Sequence, residues 1–335
     1  MRPEIEQFLN NLQYNKGRSP RTIHKYRGFL NRLEAWAKEQ GADLLDVTRE
    51  QLEQFSGMVA HEQGLTPRAR IPLVAALRGF FQFAAKEKLV KTNPAEELPY
   101  PKVGQKLPVP LELQEAGKLI MAPGLETLAG LRDTCILMLF AGTGMRIGGL
   151  SALNEGNLVF TKVEGQEWLI IRVLEKGGKE RLLPVPHEAR LILRAYLAHP
   201  ELKQIDRTLP NGEKVLFVST RNRNVKEHEY HGEARRLSET SIRDMFVKYA
   251  KQAGLPRNKA HPHALRHLYG TELAEHDVQD AIKQMLLGHA DANTSAIYTH
   301  LAMRKLTKEI ARANPLSSIK TPTSDIAKEL ASRGK

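Results

Sequence analysis

The sequence predicts a mainly α-helical protein with one small antiparallel sheet, arranged as an N-terminal helical bundle followed by an α+β domain. Three observations predict it. Capped amphipathic segments fill the first hundred residues, a proline-rich stretch follows them, and one pair of β-type segments around a Gly-Gly turn stands among further helical runs. At 335 residues and 41% hydrophobic content, the chain is long enough for two cores, since single domains settle at roughly 100–200 residues.

The helical starts come first. Ser19 precedes Pro20, Thr48 has Gln51 three residues on, and Thr66 precedes Pro67, each a pattern that caps the free N–H groups of a first turn. Ile5, Phe8, Leu9 and Leu12 form one apolar stripe; Ile23, Tyr26, Leu30, Leu33 and Trp36 form another. The run VAALRGFFQFAA, from Val74, is apolar nearly all round and reads as a central helix, with Pro72 in or near its first turn. Residues 93–110, NPAEELPYPKVGQKLPVP, carry too much proline for regular structure. The expected division is therefore 1–100 for the bundle, 101–110 for a linker, 111–312 for the second domain and 313–335 for a tail.

Within the second domain, LRDTCILMLFAG reads as a buried helix. WLIIRVLE and ERLLPVP, separated by KGGK, read as a β-hairpin turning at Gly177 and Gly178. Residues 221–236, RNRNVKEHEYHGEARR, read as an exposed loop. The tail holds one short amphipathic piece around Ile326 and Leu330.

Composition narrows the partners. The chain has 50 Lys and Arg against 38 Asp and Glu, a formal charge of +12, which favours a polyanion: nucleic acid first, anionic membrane second. No stretch approaches the roughly 20 continuous apolar residues of a membrane span, and MRPEIEQFLNNLQ lacks a signal-type apolar core. A soluble, cytoplasmic, nucleoid-associated protein is expected. The single cysteine, Cys135, rules out an internal disulfide and a Cys-based zinc cluster and reads as core.

Four motifs in the second domain share a chemical character: GTGMRIGGL with Arg146, EKGGKERLLPVP with Lys176, HPHALRHLYG with His263 and Arg266, and LLGHADANTSAIYTH with His289 and Tyr298. Together they supply what metal-free phosphodiester transfer needs. Arginine forks hold the non-bridging oxygens of the transition state. A Lys or His protonates the departing 5′-oxygen, a contribution of about 10²–10⁴ in rate. A phenol with an ordinary pKa of about 10 needs a base or concentrated positive charge to become a nucleophile.

In order and spacing, Arg, Lys, His-x-x-Arg, His and Tyr, with LGH nine residues before the tyrosine, the chain resembles the tyrosine recombinase (phage integrase) family, including Xer-type recombinases. The resemblance covers nearly the whole chain. It implies a SAM-like core-binding domain in the first hundred residues and a catalytic domain beyond. It also implies Arg146 and Arg266 as the phosphate-binding pair, Lys176 as general acid, His263 as acid/base, His289 as a second phosphate-contacting or positioning group and Tyr298 as the nucleophile of a 3′-phosphotyrosyl intermediate. No cofactor or metal is implied. The partners are a double-stranded DNA recombination site, three further copies in a tetramer on two duplexes, and accessory DNA-bending or partner recombinase proteins, with the tail docking on a neighbour. Arg21, Lys25, Arg68 and Arg70 on the N-terminal helices, with Lys179 and Arg181 on the hairpin, are expected DNA contacts. One departure stands out: the family usually carries an acidic residue three positions after the first arginine, and here Gly149 is there.

Other readings fit less. GTGMRIGG lacks the third glycine of a dinucleotide fingerprint, since Ile147 stands there. Neither His261, His263 and His267 nor His228 and His231 come with the carboxylate or thiolate partners that complete a metal set. A type IB topoisomerase shares the chemistry, and an inactive architectural DNA-binding protein shares the scaffold. The Xer-like N-terminal bundle and motifs favour recombination over the first, and retention of all six reactive side chains favours it over the second.

Overall fold

The computed structural model describes residues 2–104, 111–174, 180–222, 224–288 and 300–323, with side chains in the last stretch from Met303. The chain divides into two compact units, Met1–Leu107 and Pro108–Lys335.

The first unit is built from α1 (Pro3–Asn10), α2 (Pro20–Glu39), α3 (Arg49–Glu62) and α4 (Pro67–Lys86). Each expected cap is in place. Ser19 Oγ accepts from the Thr22 amide at 3.3 Å, Thr48 and Gln51 exchange both bonds of a capping box, and Thr66 Oγ1 accepts from the Ala69 amide at 3.3 Å. The two expected stripes meet α3 and α4 around Phe8, Leu30, Phe55 and Phe80, all buried, with Phe8 edge-on to Phe80 at 5.8 Å. Pro72 lies past the first turn, inside α4, where its missing N–H costs the bond to the Arg68 carbonyl. The proline-rich stretch begins as part of this core: Ala95 and Leu98 are buried, and Arg78 Nη1 donates to the Leu98 carbonyl at 3.0 Å while stacking on Tyr100.

In the second unit α5 (Leu113–Met121) and the buried α6 (Leu128–Thr143) are followed by the short α7 (Ile147–Ser151). A three-stranded antiparallel sheet comes next, in the order β1 (Leu158–Val163), β2 (Gln166–Leu174), β3 (Glu180–Val185). Ile171 pairs with Leu183 and Val173 with Arg181. The expected hairpin strands are these last two; its turn at Gly177 and Gly178 lies outside the described residues. Strand β1 is not anticipated by the sequence reading. It joins β2 through Glu164 and Gly165, both at positive φ, a two-residue turn in which Glu replaces the Asn or Asp that usually signals it.

Helices α8 (His187–Ala198), α9 (Pro200–Gln204), α10 (Glu239–Gln252), α11 (Pro262–Glu275), α12 (Asp280–Leu287), α13 (His300–Arg312) and α14 (Pro315–Ser318) complete the unit. One core surrounds α6, where Cys135 is wholly buried and burial pushes its thiol far above the usual range. A smaller cluster joins α11, α12 and α13 through Tyr269, Leu273, Ile282, Leu286, Leu306 and Ile310.

Residues 221–236 form an exposed, mostly irregular loop, as expected, and the loop is anchored. Arg236 donates to the carbonyls of Ser151 and Leu153 at 3.1 and 3.0 Å and to Asn154 Oδ1 at 2.8 Å. Arg235 lies 3.6 Å over the Tyr230 ring, so charged side chains do the anchoring that apolar ones do elsewhere. Of the expected tail 313–335, the described part packs on the second unit: Leu316 and Ile319 belong to the main core, and a Cβ on Gly142 of α6 would come within 3.0 Å of Leu316 Cδ1. The piece around Ile326 and Leu330 lies outside the described residues. Substituting Leu316→Ala is expected to cost about 2–5 kcal/mol of stability, read as a lowered denaturant midpoint; an unchanged midpoint would remove Leu316 from the core.

Candidate active site

The site forms where three chain reversals meet. Helix α6 ends at Gly144 in the left-handed conformation, φ 58°, and a Cβ there would stand 2.4 Å from Tyr269 Cδ1, so glycine is required on both counts. Two residues later Arg146 is the N-cap residue of α7. Helix α11 starts behind His261, whose Nδ1 accepts from the Ala264 amide at 3.1 Å, with Pro262 in its first turn. His263 follows in that turn, and Arg266 lies one turn on along the same face.

Arg266 is 9% exposed and donates to the carbonyls of Gly144 and Leu287. It ties the end of α6 to the end of α12. Arg146 Nη2 donates to the Gly288 carbonyl at 3.3 Å. Gly288 is itself left-handed, φ 70°, so two guanidiniums meet the carbonyl-rich end of α12, where positive charge is favoured. Arg146, Gly149, Val173, Leu174, His263 and Gly288 line one cleft of about 640 Å³. His263 stands at its rim. Partial burial, then the charges of Arg266, His261, His267 and Arg146, hold its imidazole below the usual 6.5. A cleft lined by the Arg146 guanidinium and the His263 imidazole, with the buried Arg266 close enough to act on that imidazole, can hold a phosphodiester and accept a proton.

Of the six expected reactive residues, the structure brings together Arg146, His263 and Arg266. Lys176, His289 and Tyr298 lie outside the described residues, as does Lys179. In the sequence, Leu174 of the cleft is two residues before Lys176, and Gly288 directly precedes His289. Arg181, expected on a DNA-facing surface, instead turns inward and is 9% exposed, its Nη1 donating to the Leu286 carbonyl at 3.0 Å. It shares the inward face of β3 with Leu183 and Val185. Arg21 and Arg68 are exposed in the first turns of α2 and α4, Lys25 is exposed one turn further along α2, and Arg70 is partly buried. His261 acts as a helix cap, and His267 is exposed. No grouping of metal-ligating side chains occurs among the described residues.

Gly149 has a steric reason. A Cβ there would lie 2.8 Å from Val173 Cγ1, so α7 packs against β2 too closely for an acidic side chain. A carboxylate reaches α7 from elsewhere: Glu239 Oε1 would be 3.1 Å from a Cβ on Gly148, and Glu239 also pairs with Arg243 at 2.7 Å. The sequence carries no signal for Glu239, because only the tertiary fold brings α10 to α7.

Comparison with known proteins follows the same division of the chain. Residues 111–305 match the phage integrase family, and residues 5–88 match the phage integrase N-terminal SAM-like domain. Tyrosine recombinase XerD of Proteus mirabilis is 31% identical over 304 residues, 90% of each chain. Tyrosine recombinase XerC of Shewanella amazonensis is 34% identical over 313 residues, 93% of this chain and 95% of that one. Among solved structures, the XerH site-specific recombinase in a post-cleavage complex with palindromic difH substrate shares the fold. Its TM-score is 0.63 at 19% identity, covering 92% of this chain and 84% of that one.

Two outcomes follow from this geometry. Gly149→Glu, which supplies the missing acidic residue, is expected to lower stability by about 1–3 kcal/mol through overpacking against Val173; thermal unfolding checks it, and an unshifted transition would contradict the packing. In DNA-free protein, NMR titration should place His263 below 6.5. Between that lowered value and 6.5 the unfolded chain binds the proton more readily, so stability present above this window is lost as pH falls through it.

Proposed function

The chain belongs to the phage integrase family, and from that premise we propose that Tyr298 attacks a DNA phosphate at the cleft formed by Arg146, His263 and Arg266. The protein is a tyrosine recombinase that cleaves and rejoins DNA at specific sites. The observation that supports the residue assignment is that Arg146 and His263 line one cleft with Arg266 close to the imidazole, and that the lining residues Leu174 and Gly288 stand just before Lys176 and His289 in the sequence.

In this mechanism the phenol oxygen of Tyr298 forms the new bond to phosphorus as the bond to the 5′-oxygen breaks. His263, held neutral, takes the phenol proton, and Lys176 gives a proton to the departing 5′-oxygen. Arg146 and Arg266, with His289, hold the non-bridging oxygens as charge builds on them. The phosphotyrosyl link keeps the energy of the broken bond, so the 5′-hydroxyl of the same or a partner strand reverses the step. The relatives of this chain are named recombinases, and the net charge of +12 suits a duplex partner. Arg21, Lys25, Arg68, Arg70 and Lys179 contact its backbone. Four protomers act on two duplexes in the cytoplasm, aided by DNA-bending or partner recombinase proteins, and the terminal piece around Ile326 and Leu330 docks on a neighbouring protomer.

The test uses a nicked suicide duplex built on the site recovered by binding selection from random-sequence DNA. Wild type should form a covalent adduct, and Tyr298→Phe should form none while binding with unchanged affinity and salt slope. Arg146→Ala should lower the adduct rate by about 10²–10³. Undiminished adduct in the Phe variant would transfer the nucleophile elsewhere.

A further inference from the structure

Three guanidiniums from three separate elements donate to three consecutive carbonyls at the end of α12. Arg181 of β3 reaches Leu286 at 3.0 Å, Arg266 of α11 reaches Leu287, and Arg146 before α7 reaches Gly288 at 3.3 Å. The last carbonyls of a helix have no partner within it and carry its partial negative charge, so cations there both satisfy and hold them. Two of the three arginines have a proposed catalytic role; Arg181 has none. Its position along the chain gives it one. Strand β3 begins at Glu180, four residues after Lys176, and α12 ends one residue before Gly288, which leads into His289 and then Tyr298.

We infer that Arg181 is a positioning residue for strand cleavage, fastening the strand that follows the proton donor to the helix that precedes the nucleophile. It is not a DNA contact: its side chain is 9% exposed and continues the inward face of Leu183 and Val185. Through the Arg181–Leu286 bond, the two parts of the site that arrive on separate chain segments keep a common register. The inference rests on the assignment of Lys176 and Tyr298 made above.

The experiment compares full-length wild type with Arg181→Met, which keeps much of the stem but has no donor, and Arg181→Lys, which restores one. Three quantities are read: single-turnover adduct formation on the selected suicide duplex, DNA binding as a function of salt, and amide hydrogen exchange across Asp280–Gly288. For Arg181→Met the adduct rate is expected to fall about 100-fold, the loss that follows misplacement by about 1 Å. Its DNA affinity and salt slope should match wild type, and the last turn of α12 should exchange faster. Arg181→Lys should recover part of both losses. Weaker binding with a salt slope reduced by about one would make Arg181 a phosphate contact and overturn the inference. So would an unchanged adduct rate in the Met variant, or faster exchange without slower cleavage. Should wild type form no adduct, the assignment of the reaction fails by itself, and exchange still decides the clamp: faster exchange in the Met variant supports it, and unchanged exchange overturns it.

Discussion

A single buried guanidinium organises the second unit. Arg266 reaches the Gly144 carbonyl at the close of α6 and the Leu287 carbonyl at the close of α12, so one side chain binds two helix ends that would otherwise present unsatisfied oxygens to each other. Arg146 lies two residues beyond the first end and His263 one turn before Arg266 on α11. The chemistry of the cleft therefore inherits its geometry from this junction. Gly144 is part of the same arrangement, since the ring of Tyr269 occupies the space that any side chain there would need.

Much of this was legible in the sequence, and the reasons are local. Ser19, Thr48 and Thr66 announce their helices because a cap and the amide it satisfies lie within three residues. HPHALR is similarly self-contained: its proline and capping histidine set the start of α11, and the helical repeat then places His263 and Arg266 on one face. Strand β1 escaped because its turn uses Glu164, whose residue type does not advertise a positive φ. Arg181 was misread as a surface residue. Alternation with Leu183 and Val185 signals an inward position, but nothing local signals the Leu286 carbonyl that makes burial of its charge tolerable. Glu239 and the anchoring of residues 221–236 through Arg236 likewise depend on partners far away in the chain.

Gly149 and its surroundings show how packing sets what the start of α7 can carry. The approach of Val173 removes the room for an acidic side chain on α7, and Glu239 brings negative charge to the same helix from α10. A change at either position therefore bears on the loop that holds Arg146, although neither residue lies among the reactive groups.

Cys135 sits within α6 with none of its surface exposed, and it is the only cysteine in the chain. The native protein is thus a ready background for thiol labelling: a cysteine introduced at an exposed position would be the single site open to a maleimide dye or spin label, with no need to remove the natural one. Pairs of such probes, one in each compact unit, give direct access to the distances between them in solution.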